Sequence, residues 1–133
     1  MKDVIGRKAK NIRNNIRYDK FDRIVYSSGH AIILYNTLTY EKHFIYLKDD
    51  LTYSIQEITA LEISKDKNFL IAGHSGTKAA VTLWHLSSKL LLKTLYLKEL
   101  IMVLNMAISD DNKRLVVYGI NAWSIGELML IDI

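Results

Sequence analysis

The sequence predicts an all-β chain folded as a partial β-propeller, with about three four-stranded antiparallel blades. Three observations carry that expectation. A sequence pattern recurs with a spacing near 45 residues, apolar runs of strand length alternate with polar turns, and several of those runs are apolar on nearly every residue. A fixed period of 20–50 residues signals a repeated supersecondary unit that buries its faces against copies of itself. The 133 residues fit one compact unit, with half of them apolar and 24% charged, which excludes a disordered or collagen-like chain.

Ile58-Thr-Ala-Leu-Glu-Ile-Ser64, then Asp66 and Leu70, returns 45 residues later as Val103-Leu-Asn-Met-Ala-Ile-Ser109, then Asp111 and Leu115. Ala31-Ile-Ile-Leu-Tyr-Asn36 precedes Ala80-Val-Thr-Leu-Trp-His85 by 49 residues, and Leu128-Met-Leu-Ile-Asp132 resumes that pattern. The approximate blades are 11–50, 51–97 and 98–133, after a short basic lead over 1–10.

In the middle unit four runs have strand length: Ile58 to Ile63, Phe69 to Ala72, Ala80 to Leu86 and Leu91 to Leu97. Between them lie Ser64 to Asn68, whose Asp and Asn side chains satisfy a turn locally, a glycine-containing connection from Gly73 to Lys78, and a polar corner from Ser87 to Lys89. Ser109 to Lys113 repeats the first turn in the third unit. Phe69-Leu-Ile-Ala72 and Leu115-Val-Val-Tyr118 do not alternate, so burial of both sheet faces is expected. The stretch from Lys89 to Ser109 is rich in helix formers and taken alone reads as a buried helix. The recurrence decides for strands, because Val103 to Ile108 stands where Ile58 to Ile63 stands.

An apolar strand ending in Ser-x-Asp, a second ending in Ala72-Gly73 or Tyr118-Gly119, and then Val81-Thr-Leu-Trp84 resembles the WD40 repeat. The signature positions are Tyr35, Ser64, Asp66, Trp84, Ser109, Asp111 and Asp132, and each copy keeps part of the usual Trp-Asp ending. The Gly-His pair that precedes the first strand in that family is missing, so packing is expected to replace its buried hydrogen-bond chain. Asn11-Ile-Arg-Asn-Asn-Ile-Arg-Tyr18, Asp22-Arg-Ile-Val-Tyr26 and Phe44-Ile-Tyr-Leu-Lys-Asp-Asp50 further resemble the opening of the first propeller in the echinoderm-microtubule-associated-protein-like family and its ciliary WD40 relatives. Lys48 stands near that family's loop histidine. The resemblance implies a scaffold on microtubules or other axonemal proteins, in the cytoplasm and cytoskeleton of a cilium.

Charge is consistent with such a partner. Up to Arg23 eight basic residues (Lys2, Arg7, Lys8, Lys10, Arg13, Arg17, Lys20, Arg23) face three acids (Asp3, Asp19, Asp22), so this segment carries +5 of a net +4 and the rest about −1. A basic segment attracts acidic surfaces, and tubulin is acidic. Arg7, Lys8, Lys10, Arg13 and Arg17 are the candidate partner contacts, with solvated surface cations as their ordinary role.

Enzymatic and cofactor chemistry finds no support. Cysteine is absent, which excludes disulfides, thiolate nucleophiles and cysteine-held metals. Gly73-His-Ser-Gly76 is one residue short of a nucleophile elbow, and His30, His43, His74 and His85 are 13, 31 and 11 residues apart, without metal-site spacing. Asp49-Asp50 and Asp110-Asp111 fall in turns. No cofactor, nucleic-acid or membrane partner is expected: there is no glycine-rich phosphate loop, no apolar run of membrane length and no signal-peptide core. Tyr18, Tyr26, Tyr35, Tyr46 and Trp84 lie in or beside apolar strands, where core packing is the default. Three blades leave two end faces uncovered, so further blades, subunits or copies are expected to cover them.

Overall fold

The computed structural model describes residues 16–46 and 55–133. Its eleven strands are β1 (Ile16–Tyr18), β2 (Ile24–Ser28), β3 (Ala31–Tyr35), β4 (Lys42–Tyr46), β5 (Ile55–Ile63), β6 (Phe69–Gly76), β7 (Ala79–His85), β8 (Leu90–Leu97), β9 (Met102–Ile108), β10 (Arg114–Ile120) and β11 (Gly126–Asp132). They form three antiparallel meanders, β1-β2-β3-β4, β5-β6-β7-β8 and β9-β10-β11. No described residue is helical, and Lys89 to Ser109 contributes strands β8 and β9. The all-β expectation holds, whereas the third sheet has three strands rather than four.

Side-chain alternation sorts each strand between two neighbours. In the first sheet Val25, Ile32, Leu34 and Ile45 point inward, and they join Ile58, Leu61, Leu70, Ala72, Ala80 and Trp84 of the middle sheet in one apolar cluster. The opposite face of the middle sheet supplies Ala60, Ile71, Ala79 and Val81 to a second cluster with Val103, Met106, Leu115 and Val117 of the third sheet. The middle sheet is therefore buried on both faces, which explains why its strands do not alternate in polarity. Leu115 to Tyr118 departs from this: Leu115 and Val117 are buried, but Val116 is half-buried and Tyr118 is 45% exposed, because no described sheet packs on the far face of the third sheet.

The glycine-containing connection also differs from its expected form. Strand β6 runs through His74 and Ser75 to Gly76, leaving only Thr77 and Lys78 as the turn. Pairing of Gly73 with Val81 and of His74 with Ala80 keeps these residues extended, and both neighbouring sheets bury them. Gly73 allows a close approach, since a Cβ there would stand 2.5 Å from Cγ1 and 2.8 Å from Cβ of Val103. The Thr59 hydroxyl donates to the Val103 carbonyl at 2.5 Å, so β9 is pinned against the middle sheet at this place. Among the described residues no helix is long and apolar enough to cross a membrane.

Gly73→Ala should lower stability by about 1–3 kcal/mol through overpacking, seen as a fall of several °C in melting temperature. Adding Val103→Ala should make the Gly73→Ala step less costly than in the parent chain, a coupling readable by a double-mutant cycle.

Candidate functional site

The conserved geometry of the three units is clearest in the turn after each first strand. The Ser64 hydroxyl donates to Asp66 Oδ1 at 2.5 Å, that oxygen accepts the Asn68 N–H at 3.0 Å, and Ser64 Oγ accepts the Phe69 N–H at 3.1 Å. The third unit repeats this arrangement: Ser109 to Asp111 at 2.6 Å, the Lys113 N–H to Asp111 at 3.0 Å and the Arg114 N–H to Ser109 at 3.0 Å. Hydroxyl donation first, and backbone N–H donation second, hold both aspartates below the usual carboxylate range. In the first unit Asp19 has the serine's place and accepts the N–H groups of Phe21 and Arg23 at 2.8 and 2.9 Å. Asp22, Lys67 and Asn112 share a left-handed conformation, with φ of 57°, 59° and 61°. These local bonds offset the cost of that conformation at non-glycine residues.

The turns are linked to one another. Lys20 Nζ donates to Asn68 Oδ1 at 3.0 Å, Lys65 Nζ to Asp110 Oδ2 at 3.2 Å, and Asn112 Nδ2 to Asp66 Oδ2 at 3.0 Å. Rigid turns thus present their side chains in a fixed row along one rim.

Inside the middle sheet a second polar chain exists where packing alone was expected. The Trp84 indole N–H donates to Thr82 Oγ1 at 2.9 Å, and His74 Nε2 lies 2.8 Å from the same hydroxyl. The histidine comes from β6 itself rather than from a loop before the first strand. All three side chains are buried. Burial first, and the neighbouring His30 second, push the His74 pKa down from 6.5 to about 3, so the ring is neutral at physiological pH. His74 and Ser75 are therefore core groups of a strand.

Of the candidate partner contacts, Arg7, Lys8, Lys10 and Arg13 lie outside the described residues. Arg17 is half-buried and committed within the chain: its Nε lies 3.3 Å from Glu62 Oε1, and its Nη1 donates to the Ile16 carbonyl at 2.9 Å. Tyr35 and Trp84 are both buried at matching positions, as is Tyr26, but Tyr18 is 59% and Tyr46 is 65% exposed. These two project from the face of the first sheet turned away from the middle sheet, on edge strands β1 and β4, while Tyr26 and Tyr35 on the same face are buried on the central strands β2 and β3. Asp132 ends β11 in register with Arg114 of β10.

One surface feature was not singled out in the sequence. In the turn Lys20-Phe21-Asp22-Arg23 the exposed Phe21 ring has Lys20 Nζ at 5.7 Å and Arg23 Cζ at 5.4 Å from its centroid. Asp19 Oδ2 holds Arg23 Nε at 2.6 Å. The turn borders a groove of about 350 Å³ that also involves Glu41, His43 and Lys89, with Lys89 Nζ 3.3 Å from His43 Nδ1. The legible signal was an aromatic residue between two cations in a turn anchored by aspartate. Among the described residues no three histidine, aspartate or glutamate side chains converge as metal ligands.

No protein-family model matches the chain. A curated relative, mitogen-activated protein kinase-binding protein 1 of mouse (Mus musculus), is 33% identical over 66 residues, which is 50% of this chain and 4% of that protein. Among solved structures, hydrazine synthase of Kuenenia stuttgartiensis superposes with a TM-score of 0.71 and 16% identity, over 88% of this chain and 38% of that one. A chain of the mitotic checkpoint complex superposes with a TM-score of 0.63 and 13% identity, over 90% of this chain and 38% of its own. The chain thus spans well under half the length of each of these three proteins. The structural likeness shows the fold, an all-β propeller-type arrangement of three antiparallel sheets. Together with the kinase-binding relative it supports a repeat of the WD40 type, and none of these proteins is named as an echinoderm-microtubule-associated-protein-like member.

Because the folded His74 stays neutral while the unfolded one charges below its ordinary pKa, stability should be full above pH 6.5 and decline as pH falls toward about 3. The slope attributable to this group is at most about 1.4 kcal/mol per pH unit. Denaturant melts of the parent chain and His74→Gln between pH 7 and 4 should show a shallower decline in the variant.

Proposed function

We propose that this chain is a non-catalytic WD40-type scaffold segment that binds other proteins through its rim turns, with an acidic, microtubule-like partner surface. The observation that carries this reading is the row of hydrogen-bonded turns that hold exposed side chains in fixed positions. Rigid presentation lowers the conformational cost of binding. The Phe21 ring with Lys20 and Arg23 beside it combines apolar area with positive charge, a composition suited to acidic partners. The basic segment from Lys2 to Arg23 adds longer-range attraction.

In its finer form the proposal places the chain in the cytoplasm, on the microtubules of a ciliary axoneme, and rests on the resemblance of the first sixty residues. The second reading is an adaptor in a nuclear or signalling complex, favoured by the likeness to a kinase-binding protein.

Co-pelleting with polymerised tubulin separates the two. The microtubule reading expects binding that weakens at least tenfold from 50 to 200 mM salt, as a multi-charge contact should. Lys20→Glu with Phe21→Ala should weaken it further without lowering the melting temperature by more than about 1 °C. Absence of tubulin binding at 50 mM salt, with capture of a kinase-pathway protein instead, would favour the adaptor.

A further inference from the structure

We propose that the rim groove between the first and middle sheets seats a carboxylate side chain of an acidic peptide, and that Lys89 is the residue that selects it. The site rests on the acidic-partner reading above and adds to it the seat and the anion.

Both sheets build the groove. Phe21, Arg23, Glu41 and His43 come from the first sheet and its turns, and Ser87 and Lys89 from the turn between β7 and β8. Its volume of about 350 Å³ lies at the lower end of ligand pockets and suits a short stretch of peptide. The two cations on its walls differ. Arg23 Nε is held by Asp19 Oδ2 at 2.6 Å, so a carboxylate of the chain already balances it. Lys89 is half-buried, and its Nζ lies 3.3 Å from His43 Nδ1. An ammonium only donates, so the imidazole nitrogen accepts and the lysine's charge stays uncompensated. Among the described residues Lys89 forms no ion pair with a carboxylate. A partly desolvated cation on the wall of a groove favours an anion beside it.

Backbone geometry gives an independent argument. Lys89 has a φ of 59°, in the left-handed region that costs a lysine more than a glycine. Tyr40 shares that conformation in the turn between β3 and β4, with a φ of 61°. There Asn36 Oδ1 accepts the N–H groups of Leu38 and Thr39 at 2.9 and 3.2 Å. His85 stands in the place of Asn36 in the middle sheet, and its Nδ1 lies 2.8 Å from Ser88 Oγ instead. No described side chain accepts a backbone N–H of that turn. Lys89 therefore holds a strained backbone without the local bonds that support the other turns, which points to a use for its ammonium.

Glu41 decides between anions. Its Oε2 lies 3.8 Å from His43 Nε2, on the same groove, and repels further negative charge. A single carboxylate can meet Lys89 at little cost, whereas a phosphate dianion is opposed by Glu41 more strongly. The exposed Phe21 ring offers apolar area to the rest of the peptide.

Fluorescence anisotropy of labelled hexaglutamate at about 50 mM salt should show binding to the parent chain. Lys89→Gln should weaken it about fivefold. Lys89→Gly should weaken it as much while the melting temperature holds or rises, because glycine relieves the left-handed strain; a lysine with only a structural role would lower that temperature when replaced. A hexapeptide alternating phosphoserine with glycine, of similar net charge, should bind about threefold more weakly than hexaglutamate, and Glu41→Gln should close that gap. Hexaglutamate binding undiminished in Lys89→Gln overturns the seat and leaves the acidic-partner reading standing. Absence of binding to the parent chain overturns both, and tighter binding of the phosphoserine peptide overturns the choice of anion.

Discussion

Packing of one sheet's apolar face against the next is the constraint on which everything else in this molecule depends. A four-stranded antiparallel meander of about 40 residues has too little interior of its own. The middle sheet becomes a core because a neighbour covers each of its sides, and the two clusters that meet there hold most of the fully buried side chains. Gly73 and Thr59 show how tight that contact is at β9: one gives up its side chain to admit Val103, and the other ties its hydroxyl to the Val103 carbonyl.

The same constraint divides the polar groups into two kinds. Those inside are bonded within the fold where a partner exists: Trp84 Nε1, Thr82 Oγ1 and His74 Nε2 form a chain, His74 Nδ1 has no hydrogen-bond partner among the described residues, and burial keeps the imidazole neutral. Those on the rim are free to be exposed yet are ordered by short-range bonds, as in Ser64 with Asp66 and Ser109 with Asp111. A buried frame with stiff, exposed turns suits recognition of other macromolecules, and it is the physical basis of the scaffold reading.

Legibility of the sequence was uneven for identifiable reasons. The Ser-x-Asp turns could be read because their hydrogen bonds close within five residues, so their geometry depends on little outside them. The strand assignment of Val103 to Ile108 was also readable, through its equivalence to Ile58 to Ile63. Arg17 was legible as a cation but not as a partner of Glu62, 45 positions away. The exposure of Phe21 between Lys20 and Arg23 depends on where Asp19 turns the chain, which the local residue pattern does not encode.

By itself the sequence determined the all-β class, the repeat and its turns, since periodicity, β-propensity and local capping act over a few residues. Tertiary structure alone decided that β6 continues through His74, that Tyr18, Tyr46 and Tyr118 stay exposed while Tyr26 and Tyr35 do not, and that the third sheet has one covered face. Tyr18, Tyr26, Tyr35 and Tyr46 share one face of the first sheet, and the central strands β2 and β3 bury theirs while the edge strands β1 and β4 leave theirs exposed. The other features turn on which side of a sheet meets a neighbour. That is set by contacts between residues some 45 positions apart, and the local pattern of polar and apolar side chains does not encode it.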